Sequence, residues 1–193
     1  AVGGGRPRRT TEPATVTAHS AVPPLRAWWR AWTVLTLSIV VEFCFAYYAT
    51  TFLHDDVGMS SAAAAAGAAA FGVGMSLGRF VVSVRTPPRT IVPTVVLVGI
   101  GFALFWAIAT PLTAIVGFGI AGVGIAPLYP TRATVLLGRF PAAPDQASTR
   151  ASIASGAALL GSPALMAAIR ELSDVRTAYL AVPVLLVLLV VLD

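Results

Sequence analysis

Two charged side chains stand where charge is expensive. Glu42 interrupts an apolar stretch, 32–53, near its middle, and Arg132 falls inside a second one, 112–137. A charge held at the centre of a bilayer costs about 2.5–3.5 kcal/mol on insertion scales, so each should face a water-filled cavity or a partner. A carboxyl group so placed can carry a proton across as a cavity switches sides, or bind a solute directly. The competing reading makes Glu42 a structural hydrogen bonder between helices. For Arg132 the competing reading is a long side chain that snorkels to the membrane interface. Tyr129 lies three residues before Arg132, on a neighbouring position of the same helix face.

The glycines and remaining arginines form a second group. Gly74 and Gly78 are four residues apart, so they share one face and let another helix approach closely. Arg79 follows directly, and Arg85 and Arg89 lie in the loop around Pro87 and Pro88. Small residues plus arginines fit a gate that makes and breaks charge contacts; close packing alone is the simpler reading. Gly117, Gly119, Gly122 and Gly124 precede Pro127 and Pro130. The spacing of the first three matches a dinucleotide-binding fingerprint, but no strand precedes it and it lies inside a membrane-length apolar run. Glycines and paired prolines in a spanning helix instead mark a bend or broken region lining a cavity.

Enzyme chemistry finds little to work with. The two histidines are His19 in a polar tail and His54 in a loop, so no zinc cluster can be built from helix positions. A serine nucleophile at Ser155 would need a base such as a helix histidine, and the chain contains no lysine. Neither an enzyme activity nor a cofactor or metal is therefore expected.

The elements that must position these residues follow from composition. Apolar residues make up 57% of the 193 positions and charged residues 11%, a balance a water-facing surface of this size cannot accommodate. Six apolar segments at 32–53, 61–84, 91–110, 112–137, 151–169 and 177–192 predict an all-α, polytopic membrane protein. The first five meet the roughly 17–25 residues a spanning helix needs, and the last is short. Residues 1–27 read as a flexible cytoplasmic linker rich in proline, glycine and arginine. The chain starts at Ala1 and its last segment stops at Asp193, so it is expected to be a fragment of a longer polypeptide.

All thirteen basic residues are arginines, scattered singly or in pairs between apolar stretches, which argues against nucleic acid. With a cytoplasmic N-terminus, the inner segments carry ten arginines and the outer loops carry only Arg170 and Arg176. Asp55 and Asp56 then lie in the first outer loop. The positive-inside rule thus places both termini in the cytoplasm. Trp28, Trp29 and Trp32 suit an aromatic belt where the first helix enters the bilayer.

Several of these stretches together resemble the major facilitator superfamily. Glu42, Tyr47-Tyr48, Phe52-Leu53 and Gly58-Met59-Ser60, before a small-residue helix ending Gly78-Arg79, resemble its helices seven and eight. Gly124 to Thr131, with Pro127, Tyr129 and Pro130, resembles helix ten of the branch containing fucose permease and related sugar transporters. Ala151 to Gly156 and Pro163 resemble helix eleven. The resemblance implies the second half of a twelve-helix transporter, built of inverted three-helix repeats, with solute bound between halves. It implies that helices seven and ten line the cavity, placing Glu42, Tyr129 and Arg132 there. The loop after Arg79 is a reduced form of the superfamily's arginine-rich gating motif, and tyrosine replaces the usual tryptophan after Glu42.

The expected function is secondary active transport of a small solute by alternating access, coupled to protons through Glu42. The expected partners are that solute, protons, the bilayer of the cell membrane, and a missing N-terminal half or a second copy. The alternatives are a drug or metabolite efflux carrier of the same fold and a non-transporting six-helix scaffold or sensor.

Overall fold

The structure is a computed structural model and describes residues 25–84, 91–140 and 144–193. Every regular element among the described residues is helical: α1 (Leu25–Asp55), α2 (Ser61–Val84), α3 (Val92–Ala103), a π-helical turn (Leu104–Ile108), α4 (Pro111–Ile125), α5 (Leu128–Gly138), α6 (Pro144–Leu172), α7 (Val175–Ala178) and α8 (Ala181–Leu192). Five helical stretches are long and apolar enough to cross a bilayer: Trp28–Asp55, Ser61–Val81, Pro111–Gly138, Pro144–Leu172 and Val175–Leu192. The remaining apolar stretch, Val92–Ile108, is shorter. Their outward faces carry Val73, Leu77, Phe80, Val96, Ile100, Leu160, Val184, Val187 and Val191. Continuous apolar surface of this kind is matched by lipid, not by water.

The boundaries depart from the sequence reading in several places, among them α6, which begins at Pro144 rather than at 151. Helix α1 begins at Leu25, inside the span 1–27 expected to be linker; residues 1–24 lie outside the described residues. The third segment, expected to run to Thr110, stops at Ile108, because its last turn widens to π geometry and Ala109 turns left-handed at φ 50°. Thr110 then caps α4 reciprocally with Thr113, and Pro111 occupies a first-turn position where no N–H is needed. The last segment, expected to be short, is extended backwards by α7, whose first turn is capped by the Asp174 carboxylate accepting from Thr177 N–H. The fourth segment is interrupted: α4 ends at Ile125 and α5 begins at Leu128, with Pro127 between them and Pro130 inside α5. Gly58, at φ 77°, makes the reversal between α1 and α2, and the Ser60 hydroxyl accepts from Ala63 N–H at 3.3 Å at the start of α2.

The helices pair in a crossed pattern. Helices α2 and α3 pack on α4, while α6 and α8 pack on α1, and α1 itself touches α4 and α5. The α2–α4 and α3–α4 contacts run through glycine at backbone distance. A Cβ on Gly74 would strike the Gly119 carbonyl, one on Gly122 would strike the Phe71 carbonyl, and one on Gly78 would lie 2.7 Å from the Val123 carbonyl oxygen. Gly117 and Gly124 face α3 in the same way, against Gly101 and Val98. These glycines, read as part of a bend lining a cavity, are contact surfaces; the break itself sits at Pro127.

Beneath that contact lies a closed aromatic cluster of Phe45, Phe52, Phe105, Phe118 and Tyr179, with Phe71 stacked on Phe45. Phe105, carried by the π turn, stacks on Phe118 with centroids 4.5 Å apart. The Tyr179 hydroxyl donates to the Cys44 carbonyl at 3.4 Å, so the ring's polar end is also satisfied. At the other end of α1, Arg150 lies over the Trp28 ring at 4.4 Å, and the Trp32 indole donates to the Arg150 carbonyl at 3.0 Å, tying α6 to α1. Trp28 is thereby buried, and Trp29 is the tryptophan of the three with an exposed ring.

Gly74→Val should lower the thermal midpoint in detergent strongly, because overpacking costs about 1–3 kcal/mol even where side chains give way, and here a carbonyl must move. Gly72→Ala, where a Cβ meets open space, should leave the midpoint unchanged or raise it. Thermal unfolding of the two purified variants side by side checks this.

Candidate functional site

Glu42 lies close to the middle of the spanning stretch Trp28–Asp55, roughly 20 Å from its Asp55 end at about 1.5 Å per residue. Its partner comes from α2: Arg79 Nη2 stands 3.4 Å from Glu42 Oε1. The carboxylate is largely shielded, with 19% of its side-chain surface exposed, whereas Arg79 is 56% exposed. The arrangement is thus a shielded anion met by a cation open on its other side. The pair is long for a charge-assisted bond and has one contact rather than a fork, so it is easily opened. Opening it has a consequence: a carboxylate left alone in an apolar setting must take a proton or find another cation.

An aromatic pair follows Glu42 along α1. Phe43 and Tyr47 stack at 5.3 Å, one turn apart, and Tyr47 is half exposed. Tyr48 turns the other way and donates to the Pro163 carbonyl of α6 at 3.2 Å. The sequence reading placed Arg79 in a gate and grouped Glu42 with Tyr129 and Arg132. The structure joins Glu42 to Arg79, and gives Arg132 a partner at the C-terminal end of α8. Arg132 Nη1 is ion-paired with the Asp193 carboxylate, in a pocket it shares with Arg30 and Arg139. Tyr129 is partly exposed on the first turn of α5, and Pro130 beside it is exposed. Gly74 and Gly78 serve the α2–α4 contact, and Arg85 and Arg89 lie outside the described residues.

The opposite end of the molecule holds ion pairs that spacing alone did not reveal. Arg170 Nη2 meets Asp55 Oδ2 at 2.9 Å, and Arg176 Nη1 meets Asp56 Oδ2 at 3.2 Å. Arg176 also donates to the Trp106 carbonyl at 2.6 Å and lies over its ring, while the Trp106 indole donates to the Arg176 carbonyl at 3.0 Å. The two arginines expected in outer loops are therefore matched one for one by the two aspartates that end α1. Between these arginines, Asp174 is held below the ordinary aspartate range, chiefly by the Thr177 backbone N–H its carboxylate accepts, with the Thr177 side chain adding to it.

Among the described residues no group of three or more histidine, cysteine or acidic side chains gathers to hold a metal ion. No family model matches the chain, and no curated protein matches it.

Two measurements bear on this region. Asp56→Ala should lower stability by about 1 kcal/mol or less, since the pair is partly open to solvent, and calorimetry in detergent would show it. The Asp174 contribution should be fully present above the unfolded-state aspartate range and be lost as pH falls through its depressed folded-state value. Asp174→Asn keeps a helix cap but cannot titrate, so its melting temperature should fall less steeply than wild type between roughly pH 5 and pH 3.

Proposed function

We propose that this chain is the six-helix half of a major facilitator transporter and moves a small solute across the cell membrane by alternating access, with proton coupling at Glu42. The observation that carries the reading is the Glu42–Arg79 pair. It sets one shielded carboxylate, near the middle of a bilayer-length helix, against one weakly held, half-open guanidinium on a different helix. Protonation of Glu42 would release Arg79, and a solute that engages either group would shift the same balance. The stacked Phe43 and Tyr47, on the same helix as Glu42, would offer an apolar face to that solute.

The helix pairing supports the fold assignment. The first three spanning segments and the last three exchange partners: the second and third of one set lie on the first of the other. That is the arrangement two inverted three-helix repeats would produce. In this reading the end bearing Trp28, Arg30 and Arg150 faces the cytoplasm, and the end bearing Asp55 and Asp56 faces outward. Its partner would be a second six-helix half, supplied by the same polypeptide or by another copy.

Transport is tested in vesicles with an imposed pH gradient, against a panel of sugars, amino acids and organic anions. Wild type should accumulate one class of solute. Glu42→Gln should equilibrate that solute without concentrating it, and Arg79→Gln should retain binding with altered pH dependence. Full accumulation by Glu42→Gln would remove the coupling role. Orientation has its own readout, because Cys44 is completely buried and silent to impermeant thiol reagents. A cysteine at Glu171 should label in intact cells, and one at Gln146 only after permeabilisation; both positions are exposed.

A further inference from the structure

The Arg132–Asp193 pair belongs to a different feature from the Glu42–Arg79 pair. It lines a pocket of about 180 Å³ between α1, α5 and α8, bounded by Arg30, Arg132, Arg139 and Asp193. We propose that this pocket binds the phosphate of an anionic phospholipid headgroup.

Three observations on separate residues converge. The lining brings the guanidinium groups of Arg30 and Arg132 to the Asp193 carboxylate, with Arg139 beside them. Arg132 is mostly buried, at 13% exposure, and although one Nη meets Asp193, its Nε–H is buried with no hydrogen-bond partner. A buried charged donor left unsatisfied is costly, and a phosphate oxygen is the acceptor a guanidinium edge fits best. Arg30 lies at the rim, where its Nε–H donates to the Leu192 carbonyl at 2.5 Å and orients the guanidinium alongside the pocket.

Position selects the lipid over a soluble anion. Arg30 lies between Trp29 and Trp32 at the N-terminal end of α1, the level at which aromatic rings sit among headgroups. The pocket residue Val135 presents exposed apolar surface for acyl chains. A soluble phosphate would use only the arginines; a phospholipid uses both surfaces, and basic pockets between spanning helices are known headgroup sites. This inference does not depend on transport.

The purified full chain in neutral detergent is titrated with phosphatidylglycerol, with phosphatidylcholine of the same acyl chains, and with inorganic phosphate, reading bound lipid by native mass spectrometry and the thermal midpoint. Phosphatidylglycerol should bind and raise the midpoint, while the other two leave it unchanged. Arg132→Gln should weaken phosphatidylglycerol binding on the order of tenfold or more. If that variant does not fold, Arg30→Gln at the exposed rim should weaken it in the same direction. Arg26→Gln, at the same end but outside the pocket, should not. Equal binding of phosphatidylcholine, an equal shift with inorganic phosphate, or equal weakening by Arg26→Gln would each overturn the proposal.

Discussion

The structure depends on α4 coming within backbone distance of two neighbours at once. Gly122 and Gly119 meet α2, while Gly117 and Gly124 meet α3, on different faces of one helix. Lipid provides no hydrophobic drive for helices to associate, so dispersion contact and shape must do it, and both fall off steeply with separation. Close approach also sets what lies below it. The Phe105–Phe118 stack spans the α3–α4 seam, and Phe45 and Tyr179 close around it from α1 and the α7–α8 junction. A side chain at Gly117 or Gly124 would spread the seam and loosen rings contributed by four segments.

Charge is distributed with the same economy. At the Asp55 end, two aspartates are matched by two arginines, and Arg176 is further fixed to Trp106 by reciprocal hydrogen bonds. At the Trp28 end, arginines outnumber acids, and Arg30, Arg132 and Arg139 gather round the single carboxylate of Asp193. Counting charges along loops captures the asymmetry between the ends. It does not reveal that Asp55 and Asp56 are each paired with an arginine while Arg132 keeps a buried Nε–H without a hydrogen-bond partner. The Glu42–Arg79 pair is the longest of the ion pairs described above.

The sequence made the apolar segments legible because hydropathy over twenty residues is a strong signal. The segment ends were harder, since they depend on a few backbone groups. Thr110 and Asp174 are ordinary polar residues until their side chains are seen to accept from Thr113 and Thr177. The π turn has no composition of its own; it places Phe105 in the aromatic cluster, a tertiary reason invisible locally. Glu42 stood out because a charge in an apolar run is costly wherever it points. Its partner did not, because Arg79 is distant in sequence and had equal claim to a gating cluster with Arg85 and Arg89. Arg132 was likewise visible as a charge, but its direction, away from α1's midpoint and towards Asp193, is a matter of which face of α5 is buried.

The crossed pairing also has a meaning in time. Helix α1 is the first described helix to be made, yet α6 and α8, which cover much of it, are the last. Chains are synthesised at about 5–20 residues per second, so roughly 10–30 seconds separate the appearance of α1 from that of α8. Throughout that interval the Ser38, Cys44 and Phe45 side of α1, fully enclosed in the finished molecule, has only its nearer neighbours to lie against. The α2–α4 unit, by contrast, is complete as soon as α4 emerges. Assembly therefore has an inherent order, with a glycine-packed nucleus forming early and the first-made helix being enclosed last.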